Sequence, residues 1–152
     1  MNESATHRLS HTAELALRGA TLRLTWARSA RSAPPILSLD GEYDTASVAE
    51  IDRFLRRQLG PLYHQDDLII DLGGATFVDS SFMGFVAGVV RDQRAKRKEL
   101  VLAHPRGQVR RALALVGVPN LVPVYESVEE AIVALVYGRT PLIPPSFNAL
   151  SA

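Results

Sequence analysis

The chain has 152 residues, of which 47% are apolar and 22% charged, a composition typical of one globular domain and unlike that of a disordered chain. Its 17 basic and 16 acidic residues give a formal net charge of +1, which argues against a protein whose main role is to bind nucleic acid. The absence of cysteine excludes disulfides, thiolate catalysis and zinc sites of the cysteine type.

The first 19 residues are polar and weakly patterned, which predicts a flexible N-terminal arm with a short helical turn near residues 13–17. They lack the basic and apolar regions of a secretory signal. No apolar run in the chain approaches the roughly 20 residues that a membrane span requires. We therefore expect a cytoplasmic protein that makes no contact with a membrane.

Two strands are predicted next, over residues 21–27 and 36–39. Apolar and polar side chains alternate in the first of them, so this strand should bury one face. A polar connection that ends at Pro34 and Pro35 separates the two strands, because proline cannot continue a central strand. The connection is short, which allows the two strands to pair antiparallel.

The period of the pattern changes after residue 44, where apolar residues recur at three- and four-residue steps and predict an amphipathic helix. These apolar residues are Val48, Ile51, Leu55 and Leu59. We expect Asp44, Thr45 or Ser47 to begin the helix, and Gly60 with Pro61 to end it.

A short apolar run at residues 68–72 predicts a strand buried on both faces, which the two glycines after it should break. A second helix is expected to follow Asp79, Ser80 and Ser81. Its apolar stripe consists of Phe82, Phe85, Val86, Val89 and Val90. The basic run at residues 91–98 is interpreted as a solvated helix end, where cations complement the helix dipole. Binding of nucleic acid by this run is a minor alternative.

Two further strands are predicted over residues 100–103 and 122–125, with a helix over residues 109–116 between them. Gly117 is well placed at the C-terminal cap of that helix. A capping box, formed by Ser127 and Glu130, predicts the start of a fourth helix.

This order of elements predicts an α/β fold with a mixed, mostly parallel sheet of about five strands and four helices. The domain should span residues 20–139. The tail at residues 140–152 contains three prolines and is expected to be loose.

The motifs of several enzyme classes are missing from the sequence. It contains no phosphate-binding loop and no dinucleotide-binding glycine motif. Ser80 lies at a strand-to-helix junction, where a hydrolase nucleophile would lie, but the glycines that flank such a serine are absent. The four histidines, His7, His11, His64 and His104, do not have zinc-protease spacing. We therefore predict that the protein is not an enzyme and has no catalytic residue, metal or cofactor.

The most specific stretch of the chain is LIIDLGGATFVDSSFMG at residues 68–84. It resembles the segment of STAS domains in which a buried strand ends at Asp-Ser-Ser or Asp-Ser-Thr before a helix. Three further stretches follow in the order that the family has. Residues 39–44 resemble its Gly-Glu-Leu-Asp turn, and residues 100–118 resemble its strand, proline and helix that ends in glycine. Residues 125–131 resemble its closing strand-turn-helix. The resemblance covers residues 21–138 and implies the STAS fold.

The resemblance extends to the anti-sigma factor antagonist branch of this family. There the first serine after the aspartate is phosphorylated by a serine kinase that is also the anti-sigma factor, and by position that residue is Ser80. The unmodified antagonist binds the anti-sigma factor and frees the sigma factor, the phosphorylated form does not bind, and a phosphatase restores it. The partner-binding residues predicted here are Asp44, Asp79, Ser80, Ser81, Phe82, Met83 and Gly84. The last three stand where the family usually has Gly-Leu-Gly.

A helix N-terminus also favours this role on physical grounds, because its unpaired N–H groups and positive dipole tolerate a phosphate. Three other interpretations stay open at this point. Asp79 or Ser80 could serve only to cap the helix. The chain could be a fixed accessory subunit of a transporter or of a stress-signalling assembly, or its Ser80 loop could bind a small molecule or nucleotide. We expect a monomer or a weak dimer that does not bind nucleic acid directly.

Overall fold

The structure of the chain, a computed structural model, describes residues 10–27 and 34–138. The strands in these ranges are β1 (Ser10–Leu17), β2 (Ala20–Ala27), β3 (Ile36–Tyr43), β4 (Leu68–Val78), β5 (Leu100–Ala103) and β6 (Val124–Tyr125). The helices are α1 (Thr45–Leu59), α2 (Ser80–Gln93), α3 (Gly107–Leu115) and α4 (Val128–Tyr137), with short 3-10 turns at Tyr63–Gln65, Arg94–Lys96 and Val118–Asn120. The start of the predicted arm, the connection after β2 and the predicted loose tail lie outside the described residues.

All six strands belong to one sheet, in the order β1-β2-β3-β4-β5-β6. The pairs β1–β2 and β2–β3 are antiparallel, as short connections allow, and the other three pairs are parallel and joined through helices. The predicted α/β class, the mixed sheet and the four helices are confirmed. The sheet has six strands in place of about five.

The strand that the sequence did not predict is β1. For residues 10–17, the prediction of an arm with a helical turn is therefore wrong. Ala13, Leu15 and Leu17 alternate with exposed residues and pack against the core. Gly19 has φ of 76° and completes a tight turn into β2. β1 pairs with the apolar strand β2 over its whole length, and this pairing places its alternating residues against the core.

β4 does not end at its two glycines, where the sequence predicted a break, and it continues to Val78 beside β3. The Asp40 side chain lies over Gly74, where a Cβ would overlap the carboxylate. Gly41 has φ of 94°, and a Cβ there would overlap the carbonyl oxygen of Gly19. These glycines therefore let neighbouring strands approach closely, and they do not end the strand.

The core lies on both faces of the sheet. A larger cluster fills the space between one face and the helices α1, α2 and α3, and its bulkiest buried side chains are Tyr43, Phe54 and Phe82. A smaller cluster lies under α4 on the other face and consists of Ile69, Val101, Ala103 and Ala131. The helix that follows the Asp-Ser-Ser segment is thus fixed by its own buried stripe, as predicted.

The predicted helix ends agree with the structure at α1 and α3 and in part at α4. α1 begins and ends at predicted residues, and Gly117 adopts the left-handed conformation just past α3, with φ of 76°. At α4, Ser127 Oγ accepts the N–H of Glu130 at 3.1 Å. The Glu130 carboxylate accepts from the N–H of Glu126, so only half of the predicted capping box forms.

Candidate functional site

Two helices begin side by side where two parallel strands end. Tyr43, the last residue of β3, is the register partner of Val78, the last residue of β4. The N–H of Asp79 donates to the carbonyl oxygen of Tyr43 over 3.2 Å. Asp44 and Asp79, which follow the two strands, are therefore neighbours, and each is the N-cap of a helix. We use the name cap edge for residues 44–45 and 79–81.

Asp44 is exposed and caps α1 through reciprocal hydrogen bonds with Ser47. Its Oδ1 accepts the N–H of Ser47 at 3.0 Å, and Ser47 Oγ accepts the N–H of Asp44 at 2.9 Å. The hydrogen bond from the Ser47 N–H, with help from the hydroxyl, holds the pKa of the Asp44 carboxyl below its ordinary value. Ser47 is only 7% exposed, so its hydroxyl is hydrogen-bonded within the cap and is not accessible at the surface.

Asp79 caps α2 with the help of Ser81. Its Oδ1 accepts the N–H of Ser81 at 2.9 Å, and the hydroxyl of Ser81 donates to the same oxygen. Ser81 is half-buried. The interpretation of Ser81 as a structural residue agrees with these contacts, which satisfy one of the orphan N–H groups of the helix.

Ser80 is the first residue of α2 and is exposed. The cap is made by Asp79 and Ser81, so the Ser80 hydroxyl is not needed for it. This hydroxyl lies at the positive end of the helix dipole, beside backbone N–H groups that the helix leaves unpaired. Thr45 takes the corresponding first position of α1 and is also exposed.

Of the three residues after Ser81, the structure places only Gly84 fully at the surface. Phe82 has an exposed fraction of 0% and its ring packs 6.4 Å from that of Phe85, measured between centroids. The prediction that Phe82 binds a partner is therefore wrong, because the apolar stripe of α2 turns it onto the sheet. Met83 is half-buried and packs against the core. Gly84 is exposed, and a Cβ added there would meet nothing within 4 Å.

The outer surfaces of the two helices differ beyond the cap edge. On α2 the exposed residues one and two turns from Ser80 are Gly84 and Ala87, so this surface is low and uncharged. On α1 the corresponding residues are Ala49 and Asp52, and Asp52 forms an ion pair, with its Oδ2 at 2.8 Å from Arg56 Nε. A flat partner surface can therefore approach α2 more closely than α1.

Two further exposed residues, Glu42 and Phe77, lie next to the cap edge and were not predicted as site residues. They are register partners on β3 and β4, and 38% of Phe77 is exposed. The alternation of β4 is interrupted after Ala75, where both Thr76 and Phe77 are exposed, so a strict period of two would have placed Phe77 on the buried face.

The other candidate residues lie away from the cap edge. The basic residues after Arg91 are exposed at the opposite end of α2, as expected of a solvated helix end. Within residues 10–27 and 34–138, no group of three or more histidine, aspartate or glutamate side chains is arranged to hold a metal ion. In the same ranges, no helix has the length and apolar character needed to cross a membrane.

Comparison with known proteins gives one family and several related structures. The STAS domain family matches residues 27–131. The chain is similar to the anti-sigma factor antagonist SpoIIAA in its unphosphorylated form, with 20% identity and a TM-score of 0.58 over 86% of this chain and 99% of that one. It is similar to an anti-sigma factor antagonist from Mycobacterium paratuberculosis, with 18% identity and a TM-score of 0.58 over 83% and 93% of the two chains.

A third structure is the Bacillus cell fate determinant SpoIIAA in its phosphorylated form. It shares 20% identity with this chain and has a TM-score of 0.50, over 80% of this chain and 96% of that one. At such identities the likeness to these structures shows the fold.

Proposed function

The chain belongs to the STAS domain family, and we propose that it is a bacterial, cytoplasmic anti-sigma factor antagonist that is switched by phosphorylation of Ser80. In its unmodified form it binds an anti-sigma factor of the serine kinase type, which then releases its sigma factor. The kinase transfers the γ-phosphoryl group of ATP to Ser80 Oγ, with release of ADP and a proton. A phosphatase hydrolyses the phosphoserine, and the chain itself catalyses neither step.

The observation that carries the proposal is the division of roles at the start of α2. Asp79 and Ser81 complete the helix cap, while Ser80 stands exposed beside them. A kinase can therefore modify Ser80 without breaking a hydrogen bond that the cap needs. The likeness to antagonists of known structure, one of them solved in a phosphorylated form, supports the same role.

The physics of a helix N-terminus explains how one modification could spare the fold and abolish a complex. A phosphate adds a charge of about −1.5 to −2, which the dipole of α2 favours by roughly 0.3–1 kcal/mol. In an interface the same group must lose its water, at a cost of several kcal/mol unless a cation pairs with it. The cap edge supplies carboxylates and hydroxyls and no basic side chain. A cost of about 4 kcal/mol lowers affinity roughly a thousandfold.

Titration of the purified chain into a kinase-type anti-sigma factor from the same bacterium tests the proposal. We expect Ser80→Ala to bind like the wild type and Ser80→Asp to bind up to about a thousandfold more weakly, because the carboxylate carries part of the phosphate charge. Thr45→Asp is the matched control. It places the same charge at the first position of the neighbouring helix, and its affinity should stay within a few-fold of wild type.

Two outcomes contradict different parts of the proposal. Wild-type affinity of Ser80→Asp would overturn the switch and leave the antagonist role. Failure of the wild-type chain to bind would overturn the antagonist role itself. A fixed accessory role in a transporter or stress-signalling assembly would then explain a helix start whose serine has no regulatory use.

A further inference from the structure

We infer that Phe77 is an aromatic anchor, which enters an apolar pocket of the anti-sigma factor when the chain docks through its cap edge. This role rests on the proposed function and adds a contact that neither Ser80 nor the helix caps supply. Phe77 is the bulkiest apolar side chain of β4, and 38% of it is exposed.

A β-bulge in β4 turns Phe77 away from the core. Gly41 pairs with Ala75 and Glu42 pairs with Phe77, so Thr76 is an extra residue that has no partner on β3. A regular strand would bury Phe77 on the same face as Ala75 and would expose Val78. The bulge reverses this choice, because it buries Val78 and exposes Phe77.

The exchange of phenylalanine for valine does not favour the isolated chain. One exposed apolar residue is ordinary in a soluble protein. However, a buried phenylalanine removes more apolar area from water than a buried valine, so burial alone favours the regular strand. Bulges are common next to functional sites, where they re-aim a side chain. A contact made outside the isolated fold therefore explains the outward position of Phe77.

Phe77 lies within reach of any protein that covers Ser80. Ser80 is three positions further along the chain, which is at most about 11 Å for an extended backbone. A protein interface of ordinary size buries about 800 Å² on each partner. A contact surface centred on Ser80 therefore includes Phe77 and its neighbour Glu42.

The charges around Phe77 restrict the kind of molecule that can cover it. Residues 40–45 and 75–82 contain no basic residue and four carboxylates, those of Asp40, Glu42, Asp44 and Asp79. None of the four forms an ion pair with a side chain in residues 10–27 or 34–138. Such a patch repels a second copy of itself, a nucleic acid and an anionic lipid surface. The occupant that fits is a protein whose apolar pocket has a rim without acidic side chains.

Calorimetric titration of the full chain into the kinase-type anti-sigma factor tests the anchor. Phe77→Ala should bind roughly ten- to a hundredfold more weakly, as is usual when a central aromatic residue of an interface is truncated. Phe77→Leu should lose less, because it keeps most of the apolar volume. The matched control is Leu115→Ala, at the 87% exposed last residue of α3, and it should bind like the wild type. Urea unfolding of each variant shows whether its fold is intact.

A thiol footprint provides a second measurement that leaves Phe77 in place, because the chain has no cysteine of its own. Thr76→Cys places an exposed thiol beside the anchor. Bound anti-sigma factor should slow alkylation of this thiol at least about tenfold, since the centre of an interface excludes solvent. Alkylation of Leu115→Cys should keep its rate. Mass spectrometry of the chain measures both rates.

The outcomes separate the anchor from the function on which it rests. Equal affinities of Phe77→Ala and Leu115→Ala, or a Thr76→Cys thiol that is alkylated equally fast with and without the anti-sigma factor, would overturn the anchor and leave the antagonist role. A wild-type chain that does not bind the anti-sigma factor would overturn the antagonist role and the anchor with it.

Discussion

The N-termini of α1 and α2 have the same construction but differ in which hydroxyl group is exposed to solvent. Each follows a parallel strand and is capped by an aspartate, and the two caps are adjacent. At α1 the serine of the cap, Ser47, is buried and fully bonded. At α2 the serine of the cap is Ser81, and Ser80 is an additional exposed hydroxyl. A capping motif and the proposed modification site thus occupy three consecutive residues without sharing a hydroxyl.

Thr45 makes the comparison sharper, because it is also an exposed hydroxyl at the first position of a helix. What separates it from Ser80 is the surface that follows. α2 continues with Gly84 and Ala87, whereas α1 continues at the corresponding positions with Ala49 and with Asp52, which is paired with Arg56. Under the proposed function, exposure alone therefore does not select the regulated residue, and the neighbouring helix surface must also admit the partner.

Filling the low surface of α2 is expected to have a large effect on binding. Gly84→Trp should weaken binding of the anti-sigma factor roughly five- to a hundredfold, since a bulky misfit in a packed contact costs about 1–3 kcal/mol. The fold should tolerate it, because a side chain at residue 84 meets open space and glycine is a poor helix former. Calorimetric titration measures the affinity, and Ala49→Trp on the exposed face of α1 is the control. Equal losses for both variants would mean that α2 has no special part in docking.

A smaller effect should separate the capping residues from Ser80. Asp79→Ala removes the acceptor of the Ser81 N–H and should lower the free energy of unfolding by about 1 kcal/mol. Ser80→Ala should change it by less than about 0.5 kcal/mol, as exposed substitutions usually do. Urea unfolding monitored by circular dichroism gives both values. A Ser80→Ala loss as large as that of Asp79→Ala would show that Ser80 is part of the cap.

The smallest effect concerns pH and the cap of α1. The folded-state pKa of Asp44 lies below its ordinary value, chiefly because the Ser47 N–H donates to the carboxylate. This contribution to stability is present above the ordinary value and is lost as the pH falls through the folded-state pKa. Asparagine also caps helices well but does not titrate. Between about pH 5 and pH 2 the wild type should therefore lose slightly more stability than Asp44→Asn. Melting temperatures of the two proteins measured between about pH 5 and pH 2 test this. A decrease with pH that is equal in both proteins would contradict the account.

Sequence patterns predicted most of the fold because its strands and helices carry their own periodicity. They failed where a neighbour decides the outcome. β1 pairs with β2 along its whole length, and β4 continues past its glycines because it pairs with β3 as far as Val78. Neither contact can be read from the segment that it stabilises.

The location of the candidate site was predictable, and its internal geometry was not. The Asp-Ser-Ser segment before a helix indicated residues 79–81. The proximity of Asp44 follows from the register that pairs Tyr43 with Val78, which a sequence does not contain. The burial of Phe82 and the exposure of Phe77 depend on which way each side chain faces the sheet. The assignment of Ser81 to the cap required the hydrogen bonds themselves.

Phosphosite mapping after incubation with the kinase-type anti-sigma factor and ATP tests the central claim most directly. The account predicts one phosphoryl group, on Ser80, in the peptide spanning residues 71–91, and none on the chain that carries Ser80→Ala. Phosphorylation of Thr45 or Ser81, or an unmodified chain in the presence of active kinase, would contradict it.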